Sequence, residues 1–260
     1  LKRARRPLRK PGRWSAGPRY PVMGCLNSKA EPNTKVDAGR RRLSVGNVDR
    51  NVEQEQSPEA AENDRGLITA LQEKDIVQML ETGGEGNSRK MSIGSTTDDI
   101  KTSYANKTVK GYGDEIDPAT ISLGYTCRKG LKPESPNQDS WFVLKVPDDF
   151  SMYAVFDGHG QKGHDVSQFV KENLPKLIVK DQRFKTDDDQ MKAMLKDTFK
   201  KMQNLISTAD RMKKLSAQMS GTTATVVIHD SSANKLTVSH VADSSAVLGE
   251  WKMRDDKGAK

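Results

Sequence analysis

The stretch "SWFVLKVPDDFSMYAVFDGHG", residues 140–160, decides the fold. Two short runs rich in aromatic and β-branched residues, 140–146 and 151–156, flank Pro147-Asp148-Asp149. Apolar runs of that length around a Pro/Asp turn read as two strands joined by a tight turn. The second run stops at Asp157-Gly158-His159-Gly160. An acid at a strand end is held rigidly, with its carboxylate at the rim of the sheet. Gly158 and Gly160 let the chain turn sharply and let a ligand approach the main chain. Asn137-Gln138-Asp139 places a second acid just before the first run. If the runs pair as a hairpin, Asp139 and Asp157 share one rim. Two carboxylates there repel and raise one pKa; a hard divalent cation, which prefers oxygen ligands, removes that penalty. The simpler alternative is that each acid caps a turn.

Working outward, "DVSQFVKENLPKLIV" carries Val166, Phe169, Val170, Leu174, Leu177 and Ile178 at helical spacing, with Pro175 expected to kink or divide the helix. The segment "DDDQMKAMLKDTFKKMQNLISTAD" is a stronger helix, with acids leading its first turn as the helix dipole favours. "TTATVVIHD", "KLTVSHVAD" and "AVLGEW" read as three further strands. Strands, two helices, then strands predict an α+β protein: an antiparallel sheet or sandwich with segregated helices.

Upstream, residues 23–120 are poor in aromatics and rich in Ser, Asn, Gly, Glu and Lys, and are expected to be mostly disordered. One amphipathic helix is expected there, at about 65–82, ending at Gly83-Gly84. The chain of 260 residues carries a net charge of +8, and eight basic residues without an acid fall in residues 1–22. A nucleic-acid footprint would have to be this leader alone, so no nucleic-acid partner is expected. The first Met is Met23, and the leader before it is expected to lie outside the natural reading frame. Met23-Gly24-Cys25-Leu26-Asn27-Ser28 fits an N-myristoylation pattern at Gly24, with Cys25 a palmitoylation candidate. Two acyl chains give stable membrane anchoring where one does not. An internal Met-Gly turn is the alternative. Ser44 and Ser92 follow basic pairs and are candidate phosphorylation sites, against the alternative of solvated charge. Cys25 and Cys127 offer no disulfide framework, which points to a reducing, cytoplasmic compartment. A monomer is expected, held on the cytoplasmic membrane face if Gly24 is acylated.

Four blocks, taken together, resemble the metal-dependent Ser/Thr protein phosphatases of the 2C type: "KPESPNQD" (132–139), "VFDGHG" (155–160), "SGTTATVVI" (220–228) and "VSHVADSSAVLG" (238–249). The resemblance spans roughly residues 121–251. It implies a β-sandwich flanked by helices in four αββα layers, here truncated, with two Mg²⁺ or Mn²⁺ ions at one end. It implies that Asp157 bridges both ions, that the Gly158 carbonyl binds one, and that Asp139 holds the site from the first strand. Asp243 matches an acid that in some members helps hold a third ion. A hydroxide bridging the ions would attack phosphorus in a phosphoserine or phosphothreonine of a protein substrate. His159 would act as general acid, the alternative being that it orders the loop and metal-bound water. Carboxylates rather than Cys or further His surround it, which disfavours a zinc pair with His164.

The chain departs from the family pattern in three places. The arginine that grips phosphate shortly before the first acid is missing; Arg128 and Lys132 are the substitutes at hand. Ser245 stands for the usual Arg and Ala242 for the usual Gly of the last block. The chain reaches Lys260 before the two later acids of the family, so a partial phosphatase domain over 121–260 is expected. Two functions compete: a metal-dependent protein phosphatase, and a catalytically inactive phosphatase-like module tethered to membrane as a scaffold.

Overall fold

The computed structural model describes residues 22–23, 57–81, 90–97, 104–131 and 136–250. Its elements in chain order are β1 (Val22–Met23), α1 (Pro58–Glu73), α2 (Ile76–Glu81), β2 (Met91–Thr96), β3 (Thr108–Gly113), β4 (Ser140–Val146), β5 (Phe150–Phe156), β6 (Gly158–Gly160), α3 (Gly163–Lys180), α4 (Asp188–Arg211), β7 (Ser220–Thr222), β8 (Ala224–Asp230) and β9 (Lys235–Val241). Seven strands form one sheet in the order β1-β9-β8-β5-β4-β2-β3, and β6 and β7 form a separate ribbon. The pairs are antiparallel except β1–β9.

The hairpin expected at 140–156 is the centre of this sheet. Ser140 pairs with Phe156 and Val146 with Phe150, and Asp148 supplies the left-handed turn residue at φ +62°. Alternation then sorts the side chains. Phe142, Leu144 and Val146 share a face with Ala154, Met152 and Phe150, and with Val226 and Ile228 of β8. That face packs on α3, and α1 and α4 pack in turn on α3. Leu144, Met152 and Val226 are completely buried, each stabilising the fold by about 1.5–3 kcal/mol. On the opposite face Trp141 is also buried, stacked on Tyr125 at 4.4 Å between ring centroids.

α4 begins where its acids predict: the Asp187 carboxylate accepts the Asp189 and Gln190 amides. α3 runs without division through the buried Pro175. The missing Pro N–H interrupts one backbone bond, and packing of the flanking Leu174 and Ile178 keeps both turns in place.

Several expectations are corrected. Much of the region 57–113 is folded into the domain rather than disordered. Ile68, Leu71, Ile76 and Val77 join the main core, and β2 pairs with β4, so no boundary at 121 separates tail from domain. The single helix expected at 65–82 is two. Ser57 caps α1 three residues before Ala60, and Asp75 accepts the Val77 and Gln78 amides, opening α2 after a break at Lys74. Ser92 is 2% exposed inside β2, paired on both sides, so in the folded state its hydroxyl is out of a kinase's reach. "AVLGEW" is not a strand among the described residues; 244–250 is loop. The α+β class, by contrast, holds: among the described residues a large, mostly antiparallel sheet is flanked by helices. Gly24, Cys25, Ser44 and Lys132 lie outside the described residues.

Candidate active site

One rung beyond the Ser140–Phe156 pair, the chain leaves the sheet on both strands, and there Asp139 and Asp157 meet. Asp139 is exposed at the rim, yet its carboxyl sits against enough protein to be held above the ordinary 3.8. Burial is the largest cause, followed by the Asp157 charge and a hydrogen bond shared with it; Lys107 pulls the other way. Two acids held in contact form a site short of positive charge.

Each acid has its own backbone support. Asn137 Oδ1 accepts the Asp139 amide at 3.0 Å. Asp157 is clamped by Thr223, whose Oγ1 accepts the Asp157 amide (3.0 Å) and whose amide donates to the Asp157 carbonyl (2.9 Å). Thr223 Oγ1 also shares a hydrogen bond with Ser244 Oγ at 2.7 Å, and Thr225 Oγ1 donates to the Ser244 carbonyl at 2.9 Å. Through Thr223 the "SGTT" block (220–223) therefore fixes the strand end at Asp157. The 242–244 loop joins the same network.

Glycine is required where these segments cross. A Cβ at Gly158 would lie 2.3 Å from the Gln138 carbonyl oxygen and 2.5 Å from that of Gly163, both backbone atoms. Gly160 adopts φ +86°. In the β6–β7 ribbon His159 pairs with Gly221, and its ring lies over the Gly221 backbone, with Nε2 2.7 Å from where a Cβ would be. His159 itself is exposed, beside Asp157 in sequence and facing solvent at the rim.

Two residues that sequence reading missed complete the frame. Gln138 Nε2 donates to the Gly160 carbonyl at 2.7 Å, and its own carbonyl accepts Ser167 Oγ from α3 at 2.6 Å. Lys107, 6% exposed, donates to the carbonyls of Asn137 (3.2 Å) and Asp139, with Ser140 Oγ at 3.4 Å. No local signal marks Lys107. It reaches the rim because its amide donates to the Cys127 carbonyl, and the 104–107 and 127–129 segments bind one another. Asn137 Nδ2 then donates to Cys127 Sγ at 3.3 Å.

Of the other candidates, Arg128 is exposed and its Nε donates to the Tyr104 carbonyl at 3.1 Å, which turns it onto the 104–106 loop. Asp243 is exposed in the loop after β9. No group of three or more His, Cys, Asp or Glu side chains converges among the described residues, so Asp243 does not join the acid pair. The local difference expected from Ala242 is visible: it adopts φ +69°, a conformation glycine enters without a Cβ penalty.

Comparison with known proteins matches this frame. The protein phosphatase 2C family model matches residues 132–254, which contain both acids, the glycine ribbon and Thr223. Residues 132–254 are thus similar to protein phosphatase 2C. Among similar proteins are "Probable protein phosphatase 2C 4" of Paramecium tetraurelia, 33% identical over 114 residues (41% of this chain, 36% of that protein), and "Probable protein phosphatase 2C 35" of Arabidopsis thaliana, 31% identical over 127 residues (46% and 34%). "Protein phosphatase 2C homolog 2" of Hypocrea jecorina is 36% identical over 103 residues (40% and 22%). The chain thus spans about a third of the length of the first two. The phosphatase 2C match begins just before β4, so α1, α2, β2 and β3 precede the matched segment.

Proposed function

We infer that the protein is a metal-dependent protein serine/threonine phosphatase, a hydrolase of phosphoserine and phosphothreonine. The observation that carries this reading is the Asp139–Asp157 contact at the rim, inside the segment that matches protein phosphatase 2C. The donor set suits a hard cation: two mutually repelling carboxylates, with room left for waters and phosphate oxygens, as Mg²⁺ and Mn²⁺ sites commonly have. Asp139 and Asp157 would hold the metal, with the Gly158 carbonyl as a third oxygen. Two such ions, when bound, supply Lewis-acid assistance at phosphorus and an activated water.

The chain's own residues do the rest. Thr223 and Asn137 fix the strand ends so that the acids keep their spacing. Lys107 and Ser167 tie the 137–140 segment to the sheet and to α3. His159 stands next to Asp157 on a glycine ribbon that leaves its imidazole at the surface, where it can protonate the departing serine or threonine oxygen. The substrates are phosphoproteins. Membrane attachment through acyl groups on Gly24 and Cys25 is supported by the "MGCLNS" motif; the strand β1 (Val22–Met23) would be lost from a form processed to Gly24.

The test is hydrolysis of a phosphothreonine peptide by the natural full-length protein with Mn²⁺, and the same assay on Asp157→Asn. Turnover should be lost on chelation and in the variant. Metal-independent turnover, or an Asp157→Asn protein of normal rate, would refute the assignment.

A further inference from the structure

Outside the acid rim, the elements before residue 132 meet the matched segment around a second concavity. It is a cavity of about 400 Å³ between the α1–α2 junction, the β2–β3 hairpin and α3. That volume falls within the range of small-molecule sites. Its ring is basic: Lys74, Lys110, Lys171 and Lys176 stand against Asp75 and Glu172. Both acids have partners in the fold. Asp75 caps α2, and Glu172 accepts Gln168 Nε2. Lys171 donates to the Ser95 carbonyl (3.0 Å) and lies 3.9 Å from the Glu172 carboxylate, and Lys176 donates to the Leu71 carbonyl (2.6 Å). An ammonium has three N–H donors, so each can serve a ligand as well. Burial is the largest cause of a lowered pKa at both, and Lys107, Lys110 and Lys176 add to it at Lys171, while Glu172 opposes it. Four lysines against two acids give the cavity wall an excess of positive charge.

The lining has two further properties. Thr96 Oγ1 and Asn173 Oδ1 are buried polar atoms without a protein hydrogen-bond partner, and Asn173 is 1% exposed with its Nδ2 already donating to the Phe169 carbonyl. An amide oxygen in that state calls for a donor. Tyr112 and Phe142 offer aromatic surface. A fitting ligand thus combines an anion for the lysines, a planar body for the rings, and N–H or O–H donors for Asn173 and Thr96.

We propose that this cavity binds a nucleoside monophosphate, its phosphate among Lys110, Lys171 and Lys176. The site is separate from the acid rim. Asn173 lies ten residues along α3 from Gly163, about 15 Å at helical rise. α3 links the two sites directly: Gly163 abuts Gly158, and Ser167 binds the Gln138 carbonyl. The binding claim itself does not depend on hydrolysis.

The experiment is calorimetric titration of the whole chain, in EDTA, with adenosine and guanosine 5′-monophosphates, and with adenosine and inorganic phosphate separately. One saturable site for at least one nucleotide is expected, with adenosine and phosphate each at least tenfold weaker. Lys110→Glu, on the exposed strand β3, should weaken nucleotide binding at least tenfold at unchanged melting temperature. Lys171→Gln should do the same, and Asp157→Asn should leave affinity unchanged. No saturable binding of either nucleotide overturns the proposal, and so does phosphate binding as tightly as the nucleotide. Equal affinity in Lys110→Glu, or loss of binding in Asp157→Asn, overturns it too.

Discussion

Thr223 is the residue through which the position of Asp157 can be tested without touching either acid. Its hydroxyl is 4% exposed by residue, accepts the Asp157 amide and shares a hydrogen bond with Ser244. Thr223→Val keeps the shape and removes only the oxygen. The Asp157 N–H then loses its acceptor at a part-buried position, which costs at most about 1–3 kcal/mol. Loss of the Ser244 contact adds about 0.5–1.5 kcal/mol, and Ser244 Oγ can recover part of that from water. The more apolar valine offsets some of the total, about one CH₂-equivalent or 0.8 kcal/mol. The net expectation is a destabilisation of about 1–3 kcal/mol. Thr223→Ser, which keeps the hydroxyl and drops a methyl, should cost about 1 kcal/mol or less. Urea denaturation of both variants in EDTA gives the stabilities, and Mn²⁺ titration of each gives the second readout. Valine should weaken Mn²⁺ binding and serine should not, because only valine frees the Asp157 strand end. A valine variant within 0.5 kcal/mol of the parent, taking 0.5 as about the limit of ordinary surface substitutions, would refute the clamp. So would equal losses for valine and serine.

Asp139 makes a pH prediction. Its folded pKa is raised above the ordinary 3.8, so its ionisation favours the unfolded chain. Its contribution to stability is full below about pH 3.8 and is lost as pH rises through the folded value. Without metal, Asp139→Asn should therefore be the more stable protein at neutral pH, with the advantage vanishing in acid; thermal melts at pH 3.5 and 7 in EDTA decide it, and no pH dependence of the difference would sink it. Gly221→Ala pushes against the tip of the His159 ring, not against backbone, so it should change stability by less than about 1 kcal/mol. The same change should displace the His159 imidazole, visible in its NMR shifts, and should lower the proposed phosphatase turnover of the full-length protein at least tenfold; an unmoved ring would refute the contact. Leu71 on α1 is 1% exposed in the main core. Leu71→Ala should cost about 2–5 kcal/mol of global stability, measured by denaturation, whereas an α1 merely tethered to the domain would make it silent.

What the sequence determined by itself is local. Alternation, a turn of Pro and Asp, and acids followed by glycines are short-range signals, and they placed β4, β5, the break in the sheet at Asp157 and both main helices. Asp139 and Asp157 could be matched across a hairpin because one antiparallel register, Ser140 to Phe156, brings them together. Tertiary structure alone decided the rest. "RKMSIGST" has no strong apolar pattern, and it becomes a strand because the open edge of β4 needs backbone partners. Lys107 and Thr223 reach the rim from 32 residues before Asp139 and 66 residues after Asp157. Their partners are main-chain atoms, which every residue carries, so no pairing pattern is written into the side chains. The basic cavity has the same origin. Its four lysines come from the α1–α2 junction, β3 and α3, each ordinary as a surface residue in the sequence, and only packing of those elements turns them toward one another.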